Sequence, residues 1–392
     1  MAKVKDIAMQ IRGVSYHPED LHDNLDEDSV VLLRANNIKD GKLILDDVVY
    51  VSKSKVAEQQ YLQTGDILIC ASSGSKELVG KAAYIDSVDT PMTFGAFCKV
   101  VRPQSEYSEY LGHYFESPFY RNRISELSAG ANINNIKNEN IDNLEVRLVT
   151  EEKQNSIVEI LNQLNCLIFL RKQQLAKLDE LVKARFVEMF GDFEFNPKEF
   201  PVYHLCELCD VGSSKRIYQE EQSISGIPFL KVADLNELID TGKYSCSTFI
   251  PLERYEQLLH KELTPTENDI LITSRGTLGK CYIVQSDDEF YFQDGMISWL
   301  SNFSPKVSSI YISYLFAQPY IQKQIESLQA GSTVAYLSIA MLKKINVILP
   351  PKKLQDDFAT FVEHVDQQKQ TVQQSLEKLE LMKKALMQEY FG

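Results

Sequence analysis

The sequence predicts an α+β protein with two similar mixed α/β halves, each followed by a long helix. The two helices are expected to pair as an antiparallel intramolecular coiled coil with pseudo-twofold symmetry. Two observations support this prediction. A segment in the middle of the chain recurs at its C-terminus, and both copies carry an apolar repeat of coiled-coil period.

The recurrence is an internal duplication. Between 172–191 and 373–392, nine of 20 ungapped positions are identical. At the same offset Gln154 matches Gln355. Because self-similarity at a fixed offset indicates a repeated structural unit, we expect the two halves to share one architecture.

Each copy predicts one long helix. Alternating steps of four and three from Ile157, and again from Phe358, give eight apolar positions out of ten. A helix of about 40 residues is about 60 Å long, so its stripe needs a partner of equal length, which its own repeat provides. Gly191 and Gly392 are expected to end the helices. The seam positions expected to hold the helices together are Leu161, Leu164, Ile168, Leu175, Leu178, Val362, Val365, Leu376 and Leu379.

The globular halves are predicted to follow one order of segments. Two short strands come first, then a buried Asp-Ile-Leu-Ile strand, a hydroxyl-rich loop, a helical stretch, a Gly-centred turn and a closing strand. The first half places them at 30–34, 48–51, 66–69, 72–81, 107–127, 129–132 and 144–148. The second half places the matching segments at 227–231, 269–272, 274–280, 310–328, 330–333 and 345–349.

Composition limits the classes of protein. The chain has 392 residues, 44% of them apolar, and neither a signal peptide nor a membrane-spanning run is apparent, so we expect a cytoplasmic protein. Seven scattered cysteines indicate reduced thiols. The net charge of −14 by itself argues against a nucleic-acid partner, although it leaves room for a local basic face.

Polar side chains nevertheless recur at the same places in both halves. Guanidinium and amide groups can pair with purine edges, and hydroxyls and cations suit phosphate oxygens. The alternative is that these are ordinary solvated loops. The candidates after the first strand of each half are Arg34, Asn36, Asn37, Lys231 and Asp234. Those in the hydroxyl-rich loops and Gly-centred turns are Ser73, Ser75, Lys76, Lys81, Asn132, Asn134, Ser274, Arg275, Thr277, Lys280, Ser332 and Thr333.

Enzymatic interpretations find little support. The loop from Gly74 to Lys81 has one residue too many between its glycines for a phosphate-binding loop, and Ala82 stands where Ser or Thr would bind magnesium. Cys206 and Cys209 have the spacing of half a zinc site, which is more often two buried thiols. We therefore predict no catalytic residue, no metal and no cofactor.

The order of motifs, repeated twice, resembles the DNA-specificity subunits of type I restriction-modification systems. The resemblance covers the whole chain. It is carried by the Asp-Ile-Leu-Ile strands, the Gly turns, the Phe-Gly helix ends and the lead-in from Leu349-Pro350-Pro351 to Gln355. That lead-in occurs once, because the first half has Leu148-Val149-Thr150 instead.

The resemblance implies a non-catalytic subunit that binds double-stranded DNA. Target recognition domains at 1–150 and 193–351 would each read half of a bipartite, gapped target, and spacer helices at 151–192 and 352–392 would set the gap. Two DNA methyltransferase subunits would dock on the helices, and a restriction or translocase subunit could join them. A related system in which one partner chain both cleaves and methylates fits equally well.

A structural adaptor is the alternative from a different class. It would carry two protein-binding modules on a coiled-coil spacer, and the acidic composition favours it. An adaptor should show no DNA affinity that falls with salt, whereas a DNA reader should lose affinity steeply as salt rises.

Overall fold

The structure is a computed structural model that describes residues 1–39, 41–75, 77–128, 134–329 and 335–392, with only the backbone of Ser128 and Asn134. It contains two compact units. Unit 1 combines Met1–Gln174 with Val372–Gly392, and unit 2 is Leu175–Thr371. Each unit therefore holds one globular half together with the start of one long helix and the end of the other.

The globular half of unit 1 is mixed α/β. Its helices are α1 (Val4–Ile7), α2 (Ser108–Glu116), α3 (Pro118–Ser128) and α4 (Asn138–Asp142). Its strands are β1 (Ala2–Lys3), β2 (Ala8–Arg12), β3 (Leu21–His22), β4 (Ser29–Leu33), β5 (Ile38–Lys39), β6 (Lys42–Leu43), β7 (Val49–Ser52), β8 (Ile67–Cys70), β9 (Ser72–Ser73), β10 (Ala82–Tyr84), β11 (Met92–Phe94), β12 (Cys98–Pro103), β13 (Asn134–Asn135) and β14 (Glu145–Val146). The long helix α5 (Glu151–Phe190) follows.

The globular half of unit 2 repeats the same plan. Its helices are α6 (Val232–Thr241), α7 (Leu252–Leu259), α8 (Ser309–Phe316), α9 (Pro319–Leu328) and α10 (Ile339–Leu342). Its strands are β15 (Val202–His204), β16 (Asp210–Gly212), β17 (Ile227–Leu230), β18 (Phe249–Ile250), β19 (Ile270–Thr273), β20 (Cys281–Ile283), β21 (Tyr291–Phe292), β22 (Ile297–Ser301) and β23 (Asn346–Ile348). The second long helix is α11 (Lys352–Phe391).

Each unit contains two matching sheets. The order β10-β8-β12-β2 in unit 1 corresponds to β20-β19-β22-β16 in unit 2, and both sheets are antiparallel. In the other sheets, β4 pairs parallel with β11, and β17 pairs parallel with β21. The strands β8 and β19 are the predicted Asp-Ile-Leu-Ile strands. They are buried along their whole length because each lies inside its sheet.

The helical stretches predicted at 107–127 and 310–328 are present, and both are divided in the same way. Each forms two helices. The breaks fall at Ser117 and Gln318, which are extended with ψ near 148° and 147°. Pro118 and Pro319 follow directly, and proline disfavours a helical conformation in the residue before it.

The long helices run antiparallel within each unit. In unit 1, Ile157, Leu161 and Leu164 near the start of α5 share a buried cluster with Met387 and Phe391 near the end of α11. The ion pair between Lys172 Nζ and Glu380 Oε1, at 3.1 Å, joins the same two helices. The predicted coiled-coil pairing is therefore present in unit 1.

Aromatic side chains hold the helices together in unit 2. Phe186 and Phe190, near the end of α5, lie edge-on to Phe358 near the start of α11, with ring centroids 5.3 and 5.4 Å apart. Tyr311 of α8 and Phe193 pack against the same rings. This cluster joins the helix pair to the globular half of its own unit.

All nine predicted seam positions are buried or half-buried. The polar exceptions in the second seam have partners. Lys369 Nζ lies 2.7 Å from Asp179 Oδ1 in unit 2. In unit 1, Lys383 donates a hydrogen bond to Glu116, which ends α2. Each of these lysines on α11 therefore pairs with a carboxylate from a neighbouring helix, Asp179 of α5 or Glu116 of α2.

Glu116 belongs to a polar cluster where the globular half of unit 1 meets its helices. His113 Nδ1 lies 3.7 Å from Glu116 Oε2, and His113 Nε2 lies 2.9 Å from Asn162 Oδ1 on α5. Burial alone would raise the pKa of Glu116. The nearby imidazole of His113 and the charge of Lys383 outweigh burial and lower the pKa of Glu116 to about 2.

Glu116→Gln is expected to destabilise unit 1 by about 1–3 kcal/mol at pH 7, because Lys383 loses its charged partner. A carboxyl whose folded pKa lies below its unfolded value of 4.5 adds stability above that value and loses it as pH falls through the folded pKa. In urea unfolding, the deficit should therefore shrink between pH 5 and pH 2. The matched control is Glu126→Gln, which removes an exposed pair with Arg123 and should change stability by less than about 0.5 kcal/mol. A deficit that stays constant with pH would contradict this role.

Candidate nucleic-acid interface

Four segments of unit 1 that are distant in sequence meet at one edge. Gly95 N donates to Leu33 O at 2.9 Å, and Ala71 N donates to Phe97 O at 2.9 Å. Ile136 N then donates to Ala71 O at 2.8 Å. These bonds tie the end of β4 to the turn before β12, to the loop after β8 and to the segment after the Gly-centred turn. We name this region edge 1, and it consists of residues 33–37, 71–75, 95–97 and 134–136.

Unit 2 repeats the same three backbone hydrogen bonds. Gln293 N donates to Leu230 O at 2.9 Å, Ser274 N donates to Met296 O at 2.9 Å, and Leu337 N donates to Ser274 O at 3.0 Å. Edge 2 consists of residues 230–234, 274–277, 293–296 and 335–337. Because the bonds correspond one by one, positions in edge 1 can be matched to positions in edge 2.

A cation follows the first strand of each edge, as the sequence indicated. Arg34 begins the turn after β4, and Lys231 begins α6 after β17. The Arg34 guanidinium is held by Asp47, whose two carboxylate oxygens are each 3.1 Å from Nη2. Asn36 Nδ2 donates to the same carboxylate at 2.6 Å. Arg34 and Asn36 therefore lie at the edge, and the side chains of both already form hydrogen bonds with Asp47.

The prediction that Asn37 contacts a base is wrong. Its side chain is 1% exposed. Its amide donates to the carbonyls of Ile44 and Asp47 at 2.8 and 2.9 Å, and its Oδ1 accepts from Arg34 N at 2.8 Å. Asn37 stabilises the turn that presents Arg34.

Asp234 has the matching structural role in unit 2. Its Oδ2 accepts a hydrogen bond from Lys231 N at 2.8 Å and so caps the start of α6. The carboxylate is half-buried, whereas Lys231 is exposed. Lys231 is therefore the side chain that this turn offers to a ligand.

The hydroxyl-rich loops differ between the two edges. Ser73 is half-buried and its Oγ accepts from Ser75 N at 3.2 Å, while Ser75 itself is exposed. In unit 2, Ser274 is 1% exposed and its Oγ lies 2.7 Å from Ser298 Oγ. The prediction of a phosphate contact by the Ser274 side chain is therefore wrong, because that hydroxyl is enclosed in the sheet.

The two lysines that end these loops occupy matching places. Cys70 N donates to Lys81 O, and Thr273 N donates to Lys280 O, so each lysine lies beside the end of its central strand. The ammonium of Lys280 is paired with Asp240 at 2.6 and 2.8 Å. Lys81 is half-buried and has no acidic partner within 4 Å among the residues that the structure describes.

The glycines before these lysines are required by close packing. Gly80 and Gly279 have φ of +79° and +77°. A Cβ at Gly80 would lie 2.2 Å from Ile124, and one at Gly279 would lie 2.8 Å from Ile325. Both positions combine a left-handed backbone with a close approach to α3 or α9, and glycine is the residue that suits this combination.

Arg275 and Thr277 are exposed in the loop of edge 2. The Arg275 guanidinium lies over the ring of Tyr336, 5.4 Å from its centroid. The backbones of Arg275 and Tyr336 also form an antiparallel bridge. In edge 1 the corresponding register pairs Asn134 with Ser73 and Asn135 with Ser72.

Some predicted residues cannot be assessed. Lys76, Asn132, Ser332 and Thr333 lie outside the described residues, and Asn134 is described by its backbone alone.

The sequence predictions missed Phe97, Met296, Tyr336 and Asn135. Phe97 and Met296 are equivalent in the hydrogen-bond pattern, and Phe97 is 71% exposed. A signal that could have drawn attention to them is a glycine shortly before each residue, Gly95 before Phe97 and Gly295 before Met296.

Nothing in the described part of the chain suggests a catalytic metal site. No group of three or more His, Cys, Asp or Glu there is placed to hold a metal ion. Cys206 is exposed, whereas Cys209 is buried and burial raises the pKa of its thiol to about 12. A cavity of about 660 Å³ in unit 1 is lined by the His113, Glu116 and Lys383 cluster, whose groups bind one another.

Two similar globular halves that carry the same composite loop edge, each joined to paired long helices, define a protein built from two copies of one module. The comparisons with known proteins give the family. The sequence model described as "Type I restriction modification DNA specificity domain" matches residues 14–180 and 197–381. The chain belongs to this family, with one copy of the domain in each half.

Named relatives agree. The chain is 30% identical over 389 residues to the type I restriction enzyme EcoKI specificity subunit of Escherichia coli K12, covering 93% of this chain and 81% of that protein. It is 40% identical over 183 residues to the StySPI specificity subunit of Salmonella potsdam, covering 46% of this chain but only 39% of that protein. The chain is thus a specificity subunit rather than a catalytic subunit.

Solved structures support the fold. The type I restriction-modification S subunit from M. genitalium aligns with a TM-score of 0.57 at 15% identity, covering 100% of this chain and 95% of that one. A chain from a study of complex assembly and conformational transition in the type I R-M system also aligns with a TM-score of 0.57. This alignment, at 15% identity, covers 100% of this chain and 96% of that one. Among the described residues, no helix is both long and apolar enough to span a bilayer.

Proposed function

We propose that this chain reads a bipartite, gapped target in double-stranded DNA and brings methyltransferase subunits to it. Residues 1–150 and 193–351 are the target recognition domains, each reading one half-site through its edge. The helices at 151–192 and 352–392 set the length of the unread gap. Two methyltransferase subunits act with the chain, and a restriction subunit can join them. We place the complex in the cytoplasm, where the chromosomal DNA lies.

The observation that carries this proposal is the duplicated edge. The same three backbone hydrogen bonds assemble each edge from four separate segments, so the backbones match while the exposed side chains differ. A repeated scaffold with different side chains suits a protein that reads two different half-sites in one way. Specificity in DNA recognition comes from side chains that reach base edges, while contacts to the DNA phosphates fix the position of the protein on the duplex.

Charge is the main physical objection to DNA binding. The chain carries −14 overall, and Asp47 and Asp240 pair with two of the candidate cations. These pairs are solvent-exposed and therefore weak, so a phosphate can compete for either cation. Lys81, Lys231 and Arg275 remain without an acidic partner within 4 Å among the described residues.

The salt dependence of DNA affinity separates this proposal from the adaptor. The chain, co-purified with its cognate methyltransferase subunit, is titrated against a fluorescent duplex carrying its target at several salt concentrations. A DNA reader should lose affinity linearly on a log–log plot, with one unit of slope for roughly each phosphate contact. Affinity that is absent, or that does not change with salt, would favour the adaptor.

Asp47→Asn is expected to strengthen DNA binding at low salt and to steepen the salt slope by about one. The substitution frees the Arg34 guanidinium and removes the negative charge that pairs with edge 1. Asp46→Asn is the matched control, because it removes one negative charge from the preceding residue without releasing Arg34. Equal gains from the two variants would show that only net charge changed.

The docking surface for the methyltransferase is proposed on one flank of the helices in unit 1. Ile160, Leu167 and Met382 each precede a seam position by one residue, and all three are exposed. The opposite flank carries the ion pair between Lys172 and Glu380. Exposed apolar side chains arranged along one flank are a typical feature of protein-binding surfaces.

Leu167→Glu is expected to weaken methyltransferase binding by about tenfold or more, since it buries a charge in an apolar contact. Calorimetric titration of the purified subunits measures the change. The matched control is Met9→Glu, which alters an exposed apolar residue of β2 and should leave the affinity unchanged. Unchanged affinity in both variants would remove this flank from the docking surface.

A further inference from the structure

We propose that Arg275 and Tyr336 form a base-reading pair in edge 2. Arg275 reads a guanine in the major groove, and Tyr336 acts as a positioning residue that orients its guanidinium. This inference rests on the proposed function and deepens it, because it assigns the specificity of one half-site to one pair of side chains.

The backbone that carries Arg275 is fixed on both sides. Ser274, directly before it, is enclosed in the sheet with its Oγ 2.7 Å from Ser298 Oγ. The Ser274 carbonyl accepts a hydrogen bond from Leu337 N at 3.0 Å. Arg275 itself bridges to Tyr336. The side chain therefore projects from a hydrogen-bonded stretch of backbone while remaining exposed.

The stacked ring orients the guanidinium. With the Arg275 guanidinium carbon 5.4 Å from the Tyr336 centroid, the cation lies over the ring face. Among the residues that the structure describes, no hydrogen bond or ion pair occupies the donors of this guanidinium. Two parallel N–H donors match the O6 and N7 acceptors of guanine, which is the commonest specific contact of arginine in DNA.

The surroundings favour a base over a phosphate. A phosphate accepts arginine or lysine from many directions, whereas the edge of a base requires a guanidinium held in one direction. Arg34 and Lys280 are tied to Asp47 and Asp240, whereas Arg275 has no acidic partner within 4 Å among the described residues. Its guanidinium is instead held by an aromatic face, an arrangement that fixes direction without neutralising the charge.

The duplicated edge supplies an independent observation. The hydrogen-bond pattern matches Arg275 with Ser72 and Tyr336 with Asn135, and Ser72 and Asn135 are register partners in β9 and β13. The same backbone position therefore carries an arginine–tyrosine pair in one half and a serine–asparagine pair in the other. An amide suits adenine rather than guanine. The pair is thus a place where the two halves differ in specificity on a common scaffold.

The test uses the chain in complex with its cognate methyltransferase subunit. Methylation mapping first identifies the split target and, through variants in edge 1 and edge 2, the half-site read by unit 2. If no split target is found, the proposed function itself fails. If a target is found, each guanine of that half-site is replaced in turn by 7-deazaguanine, which lacks the N7 acceptor.

We expect one guanine whose replacement weakens binding of the unaltered complex by about 5- to 150-fold. Arg275→Ala should lose at least that factor on natural DNA, because both the O6 and the N7 contacts are removed, and it should lose nothing more when that guanine is replaced. Arg275→Lys should keep only part of the discrimination at this guanine, because it retains the charge but not the planar fork. Tyr336→Phe should retain discrimination at this position, and Tyr336→Ala should reduce it.

Arg254→Ala is the matched control. Arg254 is paired with Glu221 outside edge 2, so its loss should not change discrimination at any base, and thermal unfolding reports whether each variant stays folded. The proposal is overturned if the half-site contains no guanine. It is also overturned if Arg275→Ala weakens all sequences equally and lowers the salt slope by about one, which is the behaviour of a phosphate contact.

Discussion

Phe358→Ala is expected to destabilise unit 2 by about 3–5 kcal/mol, the range for removing a buried aromatic side chain. Phe358 is 0% exposed. Its ring lies edge-on to Phe186 at 5.3 Å, to Phe190 at 5.4 Å and to Tyr314 of α8 at 5.3 Å. The substitution therefore opens a cavity where both long helices meet the globular half.

Urea unfolding of the full chain, followed by tryptophan fluorescence, measures this loss, since the single Trp299 lies in unit 2. Leu259→Ala is the matched control, because it truncates an exposed side chain of α7 in the same unit. Its expected effect is within about 0.5 kcal/mol. A loss below about 1 kcal/mol for Phe358→Ala would mean that the aromatic cluster does not hold the helices in unit 2.

Lengthening both helices is expected to change the gap in the DNA target and nothing else. Four residues inserted between Gln174 and Leu175, and four between Thr371 and Val372, would extend the helices by about 6 Å. Four residues slightly exceed one helical turn, and coiled coils tolerate such an insertion as a stutter. Since DNA rises about 3.4 Å per base pair, we expect the unread gap to grow by one or two base pairs.

The readout is the methylation motif of the extended chain. A four-residue insertion after Gly242, which ends α6 and lies at the surface, should leave the gap unchanged. An altered half-site in the chain with longer helices would mean that the helices themselves read bases. An unaltered gap, with both proteins still bound, would mean that the helices do not set it.

The repeated architecture could be predicted from local sequence. The seam that includes Leu161 and Val362 depends only on spacing along one helix, and the matching strands depend on short apolar runs at matching places. The breaks before Pro118 and Pro319 were also encoded locally, because proline restricts the residue before it.

The candidate site was less accessible to sequence reasoning. Asn37 and Ser274 are residue types that often bind ligands. Their side chains are nevertheless buried, where they form hydrogen bonds with partners such as Ile44 O and Ser298 Oγ. The edges are built by backbone hydrogen bonds between segments up to about 65 residues apart, which no local pattern records. Tyr336 shows the same problem, because only the fold brings it against Arg275.

The most direct test of the whole account is a methylation map. The chain is expressed with its cognate methyltransferase subunit in a host that lacks DNA methylation, and newly modified bases are located across the genome. The account predicts one split motif with a fixed unread gap, lost when the chain is omitted. Two proteins that co-purify but leave no new motif would contradict DNA reading and would support the adaptor instead.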